Sequence, residues 1–375
     1  MTMTEKMKGP GFIALIVATV LFLLYTQSFA GTLGFLIVFG IPLFAMNDLP
    51  AYATMQDKIG KYIFLAVCTI IFIFLILPIL IIIPLSFNAE PYFTLTEGMM
   101  ALDPDAYSLR WYKDIVRFGM TAPDGTDNWW SDMWNNATWI RAMRNSFFLA
   151  IVSTILATSI GTLAALGLSR PEMPFRSAIT SLLISPMIVP LVITATGMFF
   201  FYSDPLSIFP GFMIGGLQSI FDAFGTGWQT EDLRLTNTYT GLALAHATLG
   251  VPFVIITVTA TLSGFDRSLI RASQGLGASG WTTFRKVIMP LITPGMISGA
   301  LFAFITSLDE VVAVIFLADV DQRTIPRQMF SGLREQISPT ILAVATILVI
   351  MSIMLLTTVE LLRRRSERLR GLSPG

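Results

Sequence analysis

Long apolar runs recur along the chain, separated by short polar stretches. A helix needs about 20 apolar residues to cross about 30 Å of hydrocarbon. Six segments meet that length, at about 62–85, 147–168, 178–201, 239–262, 295–317 and 341–362. Two more precede them, at about 12–29 and 32–46. The second is short and holds Gly34, Gly40 and Pro42, so it spans imperfectly or re-enters. The pattern predicts an all-α polytopic membrane protein with about eight transmembrane helices. It divides into an N-terminal hydrophobic hairpin over 1–60, a six-helix transmembrane domain over 61–365 and a basic tail over 366–375.

One polar stretch, 263–293, carries a helical period of its own. Leu269, Ala272 and Leu276 fall at i, i+3 and i+7 on one face, with Arg267 and Arg271 turned away. Gly277 then permits a sharp bend without a Cβ penalty. Trp281, Phe284 and Ile288 repeat the spacing, with Arg285 and Lys286 on the polar side. Pro290 and Pro294 suit the start of the next helix. Two amphipathic helices joined by a bend can lie on a lipid surface or dock on a partner.

Small residues mark where helices approach. Gly295 and Gly299 form a G-x-x-x-G, and Gly161 with Ala165 and Gly241 with Ala245 repeat the interval. Span 62–85 lacks them and is expected on a lipid-facing rim. Pro186, Pro190 and Pro252 interrupt two spans, which requires the freed carbonyls to face protein or a cavity and sets those spans near a pathway. The loop 86–146 holds five of the seven tryptophans: Trp111, Trp129, Trp130, Trp134 and Trp139. An interfacial aromatic belt explains them; a contact with a partner protein at 129–136 is the alternative.

Asp309 and Glu310 are adjacent acids inside the 295–317 run. Asp309 falls about 21 Å along a helix counted from Gly295. Carboxylates at such depth need pairing or water. One of them lines a path for a cationic solute, or they pair with a base across a packing interface; the sequence leaves both open.

Composition narrows the classes. The chain is 54% hydrophobic and 13% charged with zero net charge, which excludes a basic nucleic-acid binder. Cys68 stands alone, so an internal disulfide and a cysteine cluster are excluded; His246 is also the one histidine, which favours a packed or hydrogen-bonded intramembrane residue over a metal ligand. No phosphate-binding G-x-x-x-x-G-K-[ST] loop is present. Lys6 and Lys8 before an apolar core, with Ser28-Phe29-Ala30 after it, also fit a cleaved signal peptide; an uncleaved first span is the favoured reading. With the N-terminus inside, the short inside segments hold 15 of the 24 Lys and Arg, which puts both termini in the cytoplasm.

The 263–293 stretch resembles the cytoplasmic EAA loop of bacterial ABC-transporter permeases: E-A-A, three residues, G, nine residues, I-x-L-P. Here it reads Arg271-Ala272-Ser273, Gly277 and Val287-Ile288-Met289-Pro290, with Ala272, Gly277 and Pro290 in register. Arg271 stands where the family often has Glu, so a glutamate contact is not carried over. Tyr107-Ser108-Leu109-Arg110-Trp111-Tyr112, Arg144-Asn145-Ser146-Phe147 and Ser307-Leu308-Asp309-Glu310-Val311 resemble segments of the spermidine/putrescine type.

The resemblance implies a permease subunit of the bacterial inner membrane with no catalytic residue, metal or cofactor of its own. ATP and Mg²⁺ would sit on a partner ATPase dimer, coupled through Arg271, Ala272, Ser273, Gly277 and Pro290. A second homologous permease, a periplasmic substrate-binding protein and lipid complete the implied partners; nucleic acid is not among them. Asp309 and Glu310 become candidates for a substrate path, which favours a polyamine. The competing classes are a secondary transporter or channel driven by an ion gradient, which leaves 263–293 unexplained, and a membrane-embedded enzyme, for which the reactive groups are lacking.

Overall fold

The computed structural model describes Thr19 and residues 54–122, 124–170, 172–204, 218–219, 222–223, 233–264, 266, 268–335 and 338–369, with backbone only over 359–369. The expected spans at 12–29 and 32–46 therefore lie outside the described residues. Contacts divide the chain into two compact units, 1–109 with 342–375, and 110–341.

In the first unit, α1 (Met55–Leu85) starts at a capping box. The Thr54 hydroxyl accepts from the Asp57 N–H, and the Asp57 carboxylate accepts from the Thr54 N–H, so each side chain satisfies a backbone donor. Phe64, Phe72 and Phe74 of α1 are exposed. None of its apolar window is buried. A short helix α2 (Glu97–Met100) and an antiparallel bridge between Asn88 and Tyr107 follow.

The second unit begins with α3 (Arg110–Arg117) and α4 (Trp129–Asn136), which pack on α5 (Thr138–Leu168). Thirty-one helical residues make α5 about 46 Å long, more than the hydrocarbon requires. It thus starts well before the apolar run at 147. Trp111 and Trp139 are buried, whereas Trp130 and Trp134 are exposed, so the tryptophans of this loop split between packing and surface. The unit continues through α6 (Arg176–Ile188), α7 (Leu191–Ser203), α8 (Tyr239–Ser263), α9 (Ser268–Gly275), α10 (Gly280–Thr283), α11 (Met289–Leu308), α12 (Val312–Leu317) and α13 (Ile325–Glu335). α14 (Thr340–Leu369) belongs to the first unit from Leu342 onward.

Helices α5, α8 and α11 pack on one another and form the core. With 67% of its apolar window buried, α8 is the central helix. Small residues bring the three together, because without a Cβ two backbones can approach. A Cβ at Gly161 of α5 would lie 2.7 Å from Val254 Cβ of α8, and one at Gly299 of α11 would lie 2.8 Å from Val254 Cα. Gly295 abuts Thr261 of α8. The G-x-x-x-G of α11 is therefore a helix-packing seam. Gly241 behaves differently: it abuts the Leu235 carbonyl in the segment leading into its own helix. Gly250, which the sequence pattern did not single out, sits at the centre, where a Cβ would lie 3.0 Å from Ala303 Cβ and 3.2 Å from Ala157 Cβ.

Two expected spans are broken. The run 178–201 is two helices, α6 and α7, bent by 104°. Pro190 has no N–H to continue the ladder, and it drives Val189 to an extended ψ of 137°. The run 295–317 stops at Leu308 and resumes at Val312. Five described helices are long and apolar enough to cross a membrane, six if the bent pair counts as one. Pro252 lies within α8 without breaking it.

Six residues are a short helix, and α12 is held at both ends by side chains. Glu310 Oε1 accepts from the Ala313 N–H at 2.8 Å. At the other end Arg327 donates to the carbonyls of Ala318 at 2.7 Å, Val314 at 3.1 Å and Asp319 at 3.3 Å. These are the terminal groups that a helix leaves unpaired. The Asn145–Ser146 pair of α5 ties down the following strap. Asn145 Nδ2 donates to the carbonyls of Asp321 and Arg323, and Ser146 Oγ accepts from the Ile325 N–H. Tyr239 of α8 donates to Asn145 Oδ1 at 3.0 Å.

Candidate functional site

The stretch between α8 and α11 folds as a two-helix elbow. Asp266 opens it, accepting from the Ser268 N–H at 2.8 Å and the Ser268 hydroxyl at 2.7 Å. Those bonds, the hydroxyl first, hold the Asp266 carboxyl below its ordinary value of 3.8, and Arg271 adds to the effect. α9 then ends in a two-bond C-cap. The Ala278 N–H donates to the Ser273 carbonyl at 3.1 Å and the Gly277 N–H to the Gln274 carbonyl at 2.9 Å. This Schellman geometry needs a left-handed residue at the turn, and Gly277 supplies it at φ +80°.

Ser279 restarts the chain by capping α10, accepting from the Thr282 N–H. Ser273 Oγ and Thr283 Oγ1, 2.9 Å apart, clip α9 to α10 across the bend. A π-helical turn, Phe284–Ile288, joins α10 to α11. Pro290 occupies the first turn of α11, where its missing N–H leaves no gap.

The elbow presents apolar groups outward. Leu276 is 90% exposed and Trp281 69%, with Leu269 and Ala272 also exposed. Trp281 stacks on Phe284 with ring centroids 5.6 Å apart. The expected single face of Trp281, Phe284 and Ile288 does not persist. A π turn adds a residue to the helical register, so Ile288 turns inward against the Val254–Ala303 core while Trp281 stays outside. Arg271 is exposed, and Ser273 is half-buried because of its clip to Thr283.

At the other end of α11 the two acids part. Asp309 is the C-cap residue, at φ −91° and ψ −1°, and its side chain is exposed. Glu310 is 5% exposed and spends a carboxylate oxygen on the Ala313 N–H. A break in an apolar helix with one acid turned in as a cap and one turned out provides a single free anionic group. The elbow and the acids are separate sites, joined by α11.

Residues 157–369 match the family described as the binding-protein-dependent transport system inner membrane component. The chain belongs to this family. The matched region contains the end of α5, all of α8 and α11, the elbow and both acids. Within it the ion-gradient transporter and the membrane enzyme lose their footing: the permease family accounts for the spans and for the elbow together.

The permease is 28% identical over 298 residues to the spermidine/putrescine transport system permease protein PotC of Haemophilus influenzae, covering 80% of this chain and 95% of that one. It is 26% identical over 278 residues to the putrescine transport system permease protein PotI of Escherichia coli, covering 74% and 82%. In fold it is similar to a bacterial ABC transporter involved in import of the acidic polysaccharide alginate. The TM-score is 0.54 at 15% identity, covering 84% of this chain and 99% of that one. This permease is accordingly a multi-pass inner-membrane subunit of an ABC importer.

Proposed function

We propose that this permease forms one transmembrane half of an ATP-driven importer that moves a small cationic solute, best represented by a polyamine such as spermidine or putrescine, by alternating access. The observation that carries the reading is the elbow: exposed Leu276 and Trp281 held rigidly by a glycine cap and a hydroxyl clip. Exposed apolar groups on a fixed scaffold are what a docking helix presents to a groove. The groove is assigned to an ATPase dimer that carries ATP and Mg²⁺, and Arg271, Ala272, Ser273, Gly277 and Pro290 shape the coupling helix. Nucleotide-driven closure of that dimer displaces the elbow, and the core helices exchange access between the two sides.

The polyamine assignment is supported by the similarity to the polyamine permeases PotC and PotI and by the exposed carboxylate of Asp309. The related alginate transporter has been solved with a substrate-bound periplasmic protein, which supports delivery here by a separate binding protein. A second, homologous permease supplies the other half of the path. The positive-inside count supports a cytoplasmic position for both termini and the elbow. The hairpin over 1–60, the permease domain over 61–365 and the tail over 366–375 complete the proposed organisation.

Gly277→Val tests the coupling role. Nothing lies within 4 Å of the position, so the substitution introduces no clash. It does force a β-branched residue into the left-handed region, at a cost of about 1–2 kcal/mol. The expected outcome is loss of ATPase co-purification with the permease at normal membrane levels, while Gly277→Asn, which tolerates this backbone, retains most of it. Wild-type co-purification of the valine variant would sink the reading.

A further inference from the structure

His246 is the only histidine in the chain, and it lies in the middle helix of the core at 2% exposure. Its Nδ1 is 2.7 Å from Ser307 Oγ in the last turn of α11. Ser153 of α5 donates to the same Ser307 oxygen at 3.0 Å. Three helices meet at one hydroxyl. Among the described residues Nε2 has no hydrogen-bond partner. The ring is thus committed to the core through a single bond, and that bond goes to Ser307.

The position of Ser307 gives this bond a consequence. A helix turns about 100° per residue, so residues two apart point to opposite sides. Ser307 is buried, and Asp309, whose N–H still donates to the Ile305 carbonyl as the C-cap residue of α11, is exposed. Elsewhere the α8–α11 seam is Gly295, Gly299 and Ala303 against α8. Ala303 is the last of these contacts, one turn before Ser307. A hydrogen bond is directional and restrains the turn at Ser307.

We propose that His246 is a positioning residue: by holding Ser307 inward it sets the rotation of the last turn of α11, and so the direction in which Asp309 presents its carboxylate to the transported solute. The inference rests on the reading of Asp309 as a pathway acid. It gives the buried histidine a role in substrate capture without contact with the substrate.

The test uses the full transporter complex in proteoliposomes. Cys68→Ser removes the one native cysteine, Asp309→Cys installs a reporter, and the rate of labelling by a water-soluble maleimide is measured. His246→Leu is expected to slow labelling at least about fivefold, the equivalent of one net hydrogen bond. His246→Asn, whose amide can occupy the Nδ1 position, should return the rate to within about twofold, again on the scale of one weak bond. Ser307→Ala should reproduce the leucine result, and it decides alone if His246→Leu does not assemble.

A separate reporter at the exposed Asp127→Cys should be unchanged, which distinguishes local rotation from general collapse. With Asp309 intact, His246→Leu should raise KM for radiolabelled putrescine more than it lowers the maximal rate. Wild-type labelling at 309 in both His246→Leu and Ser307→Ala overturns the inference and leaves the pathway reading standing. Absence of any labelling at 309 with His246 in place overturns the pathway reading itself, and the inference with it.

Discussion

Two neighbouring acids have been given opposite duties by one turn of backbone. Asp309 faces out at a helix end, and Glu310 faces in and caps α12. The sequence placed both in an apolar run and could not separate them, because their orientation depends on where α11 stops, and neither Gly nor Pro marks that stop. Asp309→Asn keeps the shape and removes the charge. It should lower polyamine uptake roughly tenfold or more, on the scale of one charged hydrogen bond, at unchanged complex yield. Equal uptake at equal membrane levels would deny Asp309 a substrate role. Glu310→Ala should do the reverse. Loss of a helix cap costs about 1 kcal/mol, so the solubilised permease should melt at a lower temperature than the Asp309→Asn variant. The pairing of His246 with Ser307 was also illegible, since it joins residues 61 apart in sequence.

Among the elements, the elbow was the most legible. Its helical period, the glycine at the bend and the proline at the restart all act locally, and the structure carries them out at Ser268–Gly275, Gly277 and Met289–Leu308. What the periodicity missed was the π turn, which rotates Ile288 into the core and leaves Trp281 outside. The bend between α6 and α7 was half legible: Pro190 signals an interruption, but a 104° turn depends on what each half packs against. Leu276 allows a clean test of the elbow, because it is so exposed that a change there should not disturb the fold. Leu276→Lys should leave permease yield and melting unchanged and reduce ATPase co-purification about tenfold or more, the value of one buried leucine side chain at an interface. Unchanged co-purification would move the docking surface elsewhere.

For the whole molecule, hydropathy marked an apolar run within every described span but missed the breaks in 178–201 and 295–317, and the small residues located the core seam at Gly161, Gly295 and Gly299. Gly250 escaped notice because it has no small partner four residues away that would mark it; the residues it accommodates, Ala157 and Ala303, lie on two other helices. Gly250→Leu should overpack this junction at a cost of about 1–3 kcal/mol. Thermal unfolding of the purified complex measures it, with Gly280→Ala, where nothing lies within 4 Å, as the neutral comparison.

The run from Gly280 to Leu308 is helical throughout, 29 residues and about 43 Å. Trp281 stands at one tip and Asp309 just past the other, so a motor acting on the tryptophan would reach the carboxyl through one continuous helical run, interrupted in register only by the π turn at Phe284–Ile288.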